Sequence, residues 1–415
     1  MKSTRLHSLL LPLMVAGAFT SSHEASAAVY VQCPGDTNGD AIPDGTTDPN
    51  VKCMHLSGGD GFTVMADGKQ LYTFGFSNLT GTPRGTDTVD ARLDKGVLAA
   101  QQPAPTIDLK QGQKVYLTLT NVGMVMRPDL FDPHSVHFHG FPNAAAIFDG
   151  LPEASITVNM GASLTYFYNI QEPGTYIYHC HVEATEHMEM GMLGQLFVRP
   201  AQDGQSKTFN GRTYTQFVYN DVDGGTGYHK GVALQLGSFD HVFHELHLGV
   251  QPLPFAKIST TYSLFNGRGY PDTVNPGSIP AGSENPRAAV NGGSVETNQP
   301  VTSLVTLNRT TEGTTLLLRL SNLSVDNLFS VTALGLPMRV VGQGARILRT
   351  AGEATGKDLS YDTSSVTLGG GETNDVLIDT TGVPAGTYFL YTTNLNYLSN
   401  GAEDFGGMMT EIVIN

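Results

Sequence analysis

Two short segments hold six of the chain's thirteen histidines, and they limit what it can become more than any other feature. The first runs Asp132-Pro133-His134-Ser135-Val136-His137-Phe138-His139-Gly140. The second runs from Gly174 through His179-Cys180-His181 and Glu183, Glu186 and His187 to Met192. Its cysteine is the odd one of three. Cys33 and Cys53 flank a short loop and are natural partners, and closing such a loop stabilises a fold by about 3 kcal/mol in the chain-entropy model. Cys180 is left over, and an unpaired thiol among imidazoles calls for a chemical reason. Two imidazoles and one thiolate in a trigonal set, with a weak axial thioether, make a blue (type 1) copper centre. His134, Cys180, His187 and Met192 supply that set. Zinc fits it less well, because a thioether does not suit zinc.

The rest of the chain reads as β-structure. Runs such as Lys114–Thr120 and Thr315–Leu320 alternate or stay apolar over strand length, and 48 Gly and 22 Pro leave few long helical patterns. The expected class is all-β, built from sandwiches. Strand geometry then accounts for the remaining histidines. Successive side chains point to opposite faces, so if Cys180 points into its own domain, His179 and His181 point away from it. His137 and His139 share a face because they are two apart. Four imidazoles gather on one side, joined to the thiolate through the backbone and side chain of Cys180 itself.

The first residues have the order of a secretory signal peptide: Lys2 and Arg5, the apolar run Leu9–Phe19, then Ala25-Ser26-Ala27. Residues 1–27 are expected to be removed and the mature protein to be periplasmic or secreted. No later stretch reaches about 18 apolar residues, so no membrane span is expected. The net charge of −15 argues against nucleic acid and anionic membranes as partners.

The two histidine segments resemble the copper motifs of multicopper oxidases, the family of laccases, bilirubin oxidases and cuprous oxidases, and less closely those of copper nitrite reductases. In the oxidases HPxHxHG gives one type 1 ligand and two ligands of a three-copper (type 2/type 3) cluster, which the resemblance maps onto His134, His137 and His139. The family's HCH maps onto His179, Cys180 and His181, with His187 and Met192 completing type 1 copper. The resemblance implies one-electron oxidation of a small reductant, a phenol or a metal ion such as Cu⁺ or Mn²⁺, and reduction of O₂ to water. The loop between Cys180 and His187 holds six residues, two more than the usual oxidase loop. Nitrite reductases have Asp where this chain has His137, and a non-ligand where it has His181, and both differences favour the oxidase. The rivals are a nitrite reductase and a non-enzymatic blue copper electron carrier or copper-resistance protein.

An internal repeat divides the chain. His134, His137 and His139 align with Phe329, Thr332 and Leu334, and His179-Cys180-His181 with Tyr391-Thr392-Thr393. Two tandem cupredoxin-type Greek-key sandwiches are therefore expected, the second without copper ligands. The expected divisions are a disulfide-closed acidic loop at 28–57, a copper domain at 58–200 and a second domain at 201–415. Asn266-Gly267 and Tyr270-Pro271-Asp272 resemble the family's NGxxYPD segment, expected to open that second domain's main sheet. A trinuclear cluster needs about twice the four imidazoles found. In two-domain family members the other half comes from a neighbouring subunit's second domain, so a homotrimer is expected. Here the only other concentrated histidines are His229, His241, His244 and His247, in an expected insertion at 222–258. They either complete the cluster across a subunit interface or belong to a polar surface helix or separate metal site, in which case the second site is expected to be a mononuclear copper or a reduced cluster. Asp36, Asn38, Asp40 and Asp44 have the spacing of a calcium loop over 36–48, the alternative being a solvated acidic loop. Glu183, Glu186 and Glu189 could dock a divalent metal reductant, and Met188 and Met190 could dock Cu⁺; core packing and solvation are the competing roles.

Overall fold

The computed structural model describes residues 29–45, 48–85, 90–279, 282–286, 298–401 and 403–415. The expected signal peptide, 1–27, lies outside them. Cys33 and Cys53 form the expected disulfide. None of the helices in the described residues is long and apolar enough to cross a membrane.

The first sandwich is built from eight strands: β1 (Val51–Val64), β2 (Gln70–Asn78), β3 (Ala104–Lys110), β4 (Lys114–Gly123), β5 (His137–Phe138), β6 (Ser163–Asn169), β7 (Gly174–His179) and β8 (Leu193–Arg199). One sheet has the order β2-β1-β4-β6 and the other β3-β8-β7-β5. Between them lies an apolar core that includes Leu56, Phe74, Phe76, Leu117, Tyr166 and Leu196. Among the described residues this half carries two α-helices, α1 (Ala91–Gly96) and α2 (Ala184–Glu189), and a 3-10 turn at Ala146–Phe148. The border expected at residue 58 falls inside β1, because the strand's pairing with β4 already begins at Val51, two residues before Cys53.

Short strands β9 (Lys207–Phe209), β10 (Arg212–Tyr214), β11 (Gln216–Phe217) and β12 (Gly227–Tyr228) lead to the second sandwich. Its strands repeat those of the first one for one. β13 (Lys230–Phe239) runs parallel to β16 (Thr315–Asn322) and antiparallel to β14 (Tyr262–Phe265), as β1 does to β4 and β2. β15 (Val305–Leu307) runs parallel to β24 (Met409–Ile414), as β3 does to β8. β17 (Phe329–Ala333), β22 (Thr373–Asp379) and β23 (Gly386–Thr392) stand where β5, β6 and β7 do. β18 (Met338–Gln343), β19 (Arg346–Ile347), β20 (Tyr361–Thr363) and β21 (Val366–Leu368) extend the sheets. The registers match the repeat residue for residue: His137 lies opposite His179 across β5 and β7, and Thr332 opposite Tyr391 across β17 and β23.

This pairing corrects the expected insertion at 222–258. Residues 230–239 are a core strand of the second sandwich. The inserted piece is the link from β13 to β14, which carries the helix α3 (His241–His247) where the first domain has a tight turn between β1 and β2. The Asn266-Gly267 turn closes the end of β14, an edge strand of the second domain's main sheet.

The same asparagine device recurs in both halves. Asn121 Nδ2 donates to the carbonyls of Asp132 and Val158, at 2.8 and 2.9 Å, and Asn322 Nδ2 to those of Asn327 and Leu368 at the same distances. Each ties the turn before the β5-like strand to the sheet, and only the first turn leads to a histidine ligand set. Asn121→Ala and Asn322→Ala should each cost about 2 kcal/mol, since each removes two hydrogen bonds that tie the turn to the sheet. Urea titrations measure that cost, and the visible spectrum of the copper-supplied protein should change for Asn121→Ala alone.

Candidate metal centre

β7 ends at His179, and the chain then crosses the sandwich end with Cys180 pointing inward. Cys180, His134 and His187 are wholly buried and gather their donor atoms within 4.8 Å of one another. Nδ1 of His187 lies 3.2 Å from Cys180 Sγ, and Nδ1 of His134 lies 3.9 Å from it. The Ser135 amide donates to the same sulfur at 3.4 Å. Met192 is fully buried beside them, with its amide on the His187 carbonyl and its carbonyl receiving the Cys180 amide. Gly58 makes room for the set. A Cβ there would lie 2.8 Å from the His134 ring and 3.3 Å from Met192 Cε, and β1 bulges at this point.

Burial pushes the Cys180 thiol up, but the His187 and His134 imidazoles outweigh it and hold the thiol well below its usual range. Burial would likewise keep His187 neutral, yet the Cys180 thiolate and Asp132 raise it to about 10. A thiolate stabilised by two imidazoles, with thioether beside it, is the soft donor set that suits copper.

The second set lies on the other side of Cys180. His137, His139 and His179 also bring donor atoms within 4.8 Å, and the His181 ring stands 4.9 Å from that of His137. Their orientations are fixed by the backbone. His137 Nδ1 donates to the Asp149 carbonyl at 2.6 Å, and His179 Nδ1 to the Cys180 carbonyl at 2.7 Å. His139 makes a backbone hydrogen bond with Gly371, a residue of the second domain where a Cβ would lie 2.5 Å from Nδ1. With Nδ1 carrying the proton, each Nε2 lone pair is free, and those of His139 and His179 face each other at 2.9 Å. Two lone pairs that close repel unless a cation lies between them, so these residues fit a metal ion. Burial lowers His139 and takes His179 down to about 3, which keeps both rings in the neutral form that binds metal.

All eight residues singled out from the sequence thus lie in two adjoining groups. The histidines of 222–258 do not join them. His244 is fully buried between the carbonyls of Tyr72 and Glu189, His247 is buried against Glu186, His241 is tied to Thr261, and His229 packs on Tyr214. An interface role for His244 and His247 is ruled out by that burial: both are consumed inside the chain. In the acidic loop, Asp36, Asp40 and Asp44 accept hydrogen bonds from loop amides. They form no metal-gathering group among the described residues. Met190 is a core residue, so its thioether is not presented for Cu⁺, and the half-buried Met188 packs on Ile177, Leu193 and Leu323. Sequence reasoning passed over Gly58 and Gly371, whose importance appears only when distant strands meet.

Two regions, 89–203 and 260–414, match family models described as multicopper oxidase, together more than half of the chain. The chain is 34% identical over 80 residues to multicopper oxidase MmcO of Mycobacterium tuberculosis, and 35% identical over 82 residues to iron transport multicopper oxidase fetC of Epichloe festucae. These matches span only 19% of this chain in each case and 14% and 12% of those proteins. Among solved structures, a blue copper oxidase from Nitrosomonas europaea superposes with a TM-score of 0.59 at 20% identity, covering 88% of this chain and 86% of that one. A copper nitrite reductase from the same organism gives 0.55 at 13% identity, covering 88% and 94%.

His55 offers a clean test of the buried electrostatics, because it hydrogen-bonds Thr120 at 2.7 Å and lies outside both sets. Burial lowers it from 6.5 to about 3. The unfolded chain therefore takes up the proton first, and this contribution is complete above about pH 6.5 and lost as pH falls. Between pH 6.5 and 4 the wild type should lose on the order of 3 kcal/mol more stability than His55→Gln, measured by urea unfolding of the metal-free proteins.

Proposed function

Since the chain belongs to the multicopper oxidase family, we propose that it is an exported oxidase that takes single electrons from a small reductant at the Cys180 site and passes them to O₂ at the histidine site. One observation carries this reading: a single residue joins the two donor sets. Cys180 turns its thiol to His134 and His187, while the neighbouring His179, covalently continuous with it, turns Nε2 to His139. Copper, when bound, would supply one-electron chemistry at the first set (type 1) and reduction of oxygen at the second, where the four imidazoles of His137, His139, His179 and His181 would hold a mononuclear copper or a reduced form of the type 2/type 3 cluster. The protein's own part is to hold the thiolate dry, to keep the second set of rings neutral, and to fix each ring by its other nitrogen.

The reductant we propose is a divalent metal ion such as Mn²⁺ or Fe²⁺. Asp132, Glu183 and His187 bring donor atoms within 4.8 Å, with Glu183 exposed. Asp132 Oδ2 and His187 Nε2 face each other at 3.7 Å, both buried and without a hydrogen-bond partner. Glu186 and Glu189 are engaged elsewhere, by His247 and by the Asp240 amide, which leaves Asp132 and Glu183 as the docking carboxylates. A relative named for iron transport is consistent with this choice. Export is supported by the order of residues 1–27 and by the disulfide. The proposed assembly is a homotrimer in which a neighbour covers the exposed His139 and the nearby Leu328, 71% exposed.

Metal analysis separates this reading from its rivals. Two or more coppers per chain with oxygen uptake and no nitrite consumption support the oxidase, two with nitrite consumption a nitrite reductase, and one an electron carrier. Asp132→Asn and Glu183→Gln should each lower kcat/KM for Mn²⁺ or Fe²⁺ by about ten-fold or more and leave a phenol within two-fold. A preference for the phenol that neither substitution alters would remove the metal-ion assignment.

A further inference from the structure

α2 carries His187 in a short loop whose polar side chains turn outward to a neighbouring helix. Six residues separate Cys180 from His187. The helix is one and a half turns long, its N-cap residue Glu183 sits in the left-handed region at φ 46°, and no side chain caps it. Backbone bonds close the turns, from the Glu186 and His187 amides to the Glu183 carbonyl and from the Met190 amide to the Glu186 carbonyl, but the polar side chains of Glu186 and Glu189 find partners outside the loop.

Those partners come from α3 and its cap. His247 Nε2 lies 2.6 Å from Glu186 Oε1, next to the ligand His187. His244 Nε2 lies 3.0 Å from the Glu189 carbonyl, and the Asp240 amide donates to Glu189 Oε1 at 2.7 Å. Asp240 also caps α3 through Oδ1, so the residue that starts the helix holds the far end of the loop. Phe74 lies edge-on between the rings of His247 and His187, at 4.8 and 5.7 Å. The other histidine arm is tied in as well. Arg127, forked onto Asp129, donates to the carbonyls of His247 and Gly249 at the helix's end, and the chain runs from Asp129 directly to Asp132 and His134.

We propose that α3 is a brace for the Cys180 site: through His247, His244 and Arg127 it fixes both histidine arms, so the second domain sets the geometry of a metal site it does not itself contain. His247 and His244 are positioning residues in this scheme. The Nε2 atoms of both point at the loop, while His244 Nδ1 meets the Tyr72 carbonyl at 2.5 Å, and His241 on the same helix points instead at Thr261 of its own domain. The inference rests on the reading of Cys180 as a copper ligand only for its spectroscopic arm.

The test uses the full chain with His247→Ala, the conservative His247→Gln, and His241→Ala as the control on the same helix. In metal-free protein the buried Cys180 of His247→Ala should react with iodoacetamide on the order of ten-fold faster than wild type, with most of the protection restored in His247→Gln and unchanged in His241→Ala. In copper-loaded protein His247→Ala should shift the thiolate-to-copper absorption band and the copper hyperfine splitting, and His241→Ala should not. Equal alkylation rates and identical spectra for His247→Ala and wild type would overturn the brace, as would equal effects from His241→Ala. Should His247→Ala fail to fold, Glu186→Ala removes the same contact from the loop side and must show the same two changes; no change there also overturns it. A wild-type protein with no such band would defeat the copper reading, while the alkylation ratio would still decide the brace.

Discussion

Everything in this molecule turns on the contact between the Cys180 thiol and the two imidazoles that face it in a pocket closed to water. A buried thiol would ordinarily stay protonated and inert. Here the electrostatic pull of His187 and His134 exceeds the burial penalty, and the sulfur is held as a thiolate. The price is a site that is stable only as a set: remove one member and a charge is left buried without its partner. The surrounding sandwich is arranged to protect that set. The bulge of β1 at Gly58 opens space for His134 and Met192, Asn121 fastens the turn before His134, and the Ser135 amide completes the shell around the sulfur.

The second sandwich shows what the same fold becomes without a metal to hold. Phe329, at the position of His134, is fully buried in the apolar core of its domain. Thr392, at the position of Cys180, is buried, and Thr332 bonds the Ser364 carbonyl. The strand registers are unchanged, so the fold does not depend on copper; it depends on sheet pairing and on devices such as Asn322 that it shares with the first half. What the second half supplies to the site is structural. Gly371 comes close enough to fix the His139 ring, and buried polar contacts such as Thr175 to Asp375, at 2.6 Å, and Gln195 to the Arg319 carbonyl, at 2.9 Å, lock the two domains together.

The metal sets were legible in the sequence because they obey local rules. A period of two fixes which face each histidine occupies, and the leftover cysteine needs no tertiary information to stand out. The fold was legible through the repeat, since the aligned pairs His137/His179 and Thr332/Tyr391 turned out to be actual cross-strand partners. The surroundings were harder to read. The histidines of α3 looked like spare ligands because a sequence lists donor atoms without saying which are already bonded. His244 and His247 are bonded to residues 55 and 61 positions away, a separation over which no periodicity speaks. The strand 230–239 was taken into an insertion for a related reason: its pairing with β16 spans more than eighty residues of chain.

The loop between Cys180 and His187 connects these points. A shorter loop can be held by its own backbone, whereas six residues form a short helix with an end to satisfy and a face to cover. Glu186 lies in this longer loop and Glu189 just past His187; both face the second domain, and both would be costly to bury alone. Burial raises Glu189 to about 8 even with the Asp240 amide donating to it. The insertion that carries α3 meets both carboxyl groups with donors from one helix and its cap. The longer loop and the inserted helix are therefore complementary halves of one feature. The chain departs from the simple two-sandwich plan at these two places together, and each segment meets polar groups of the other.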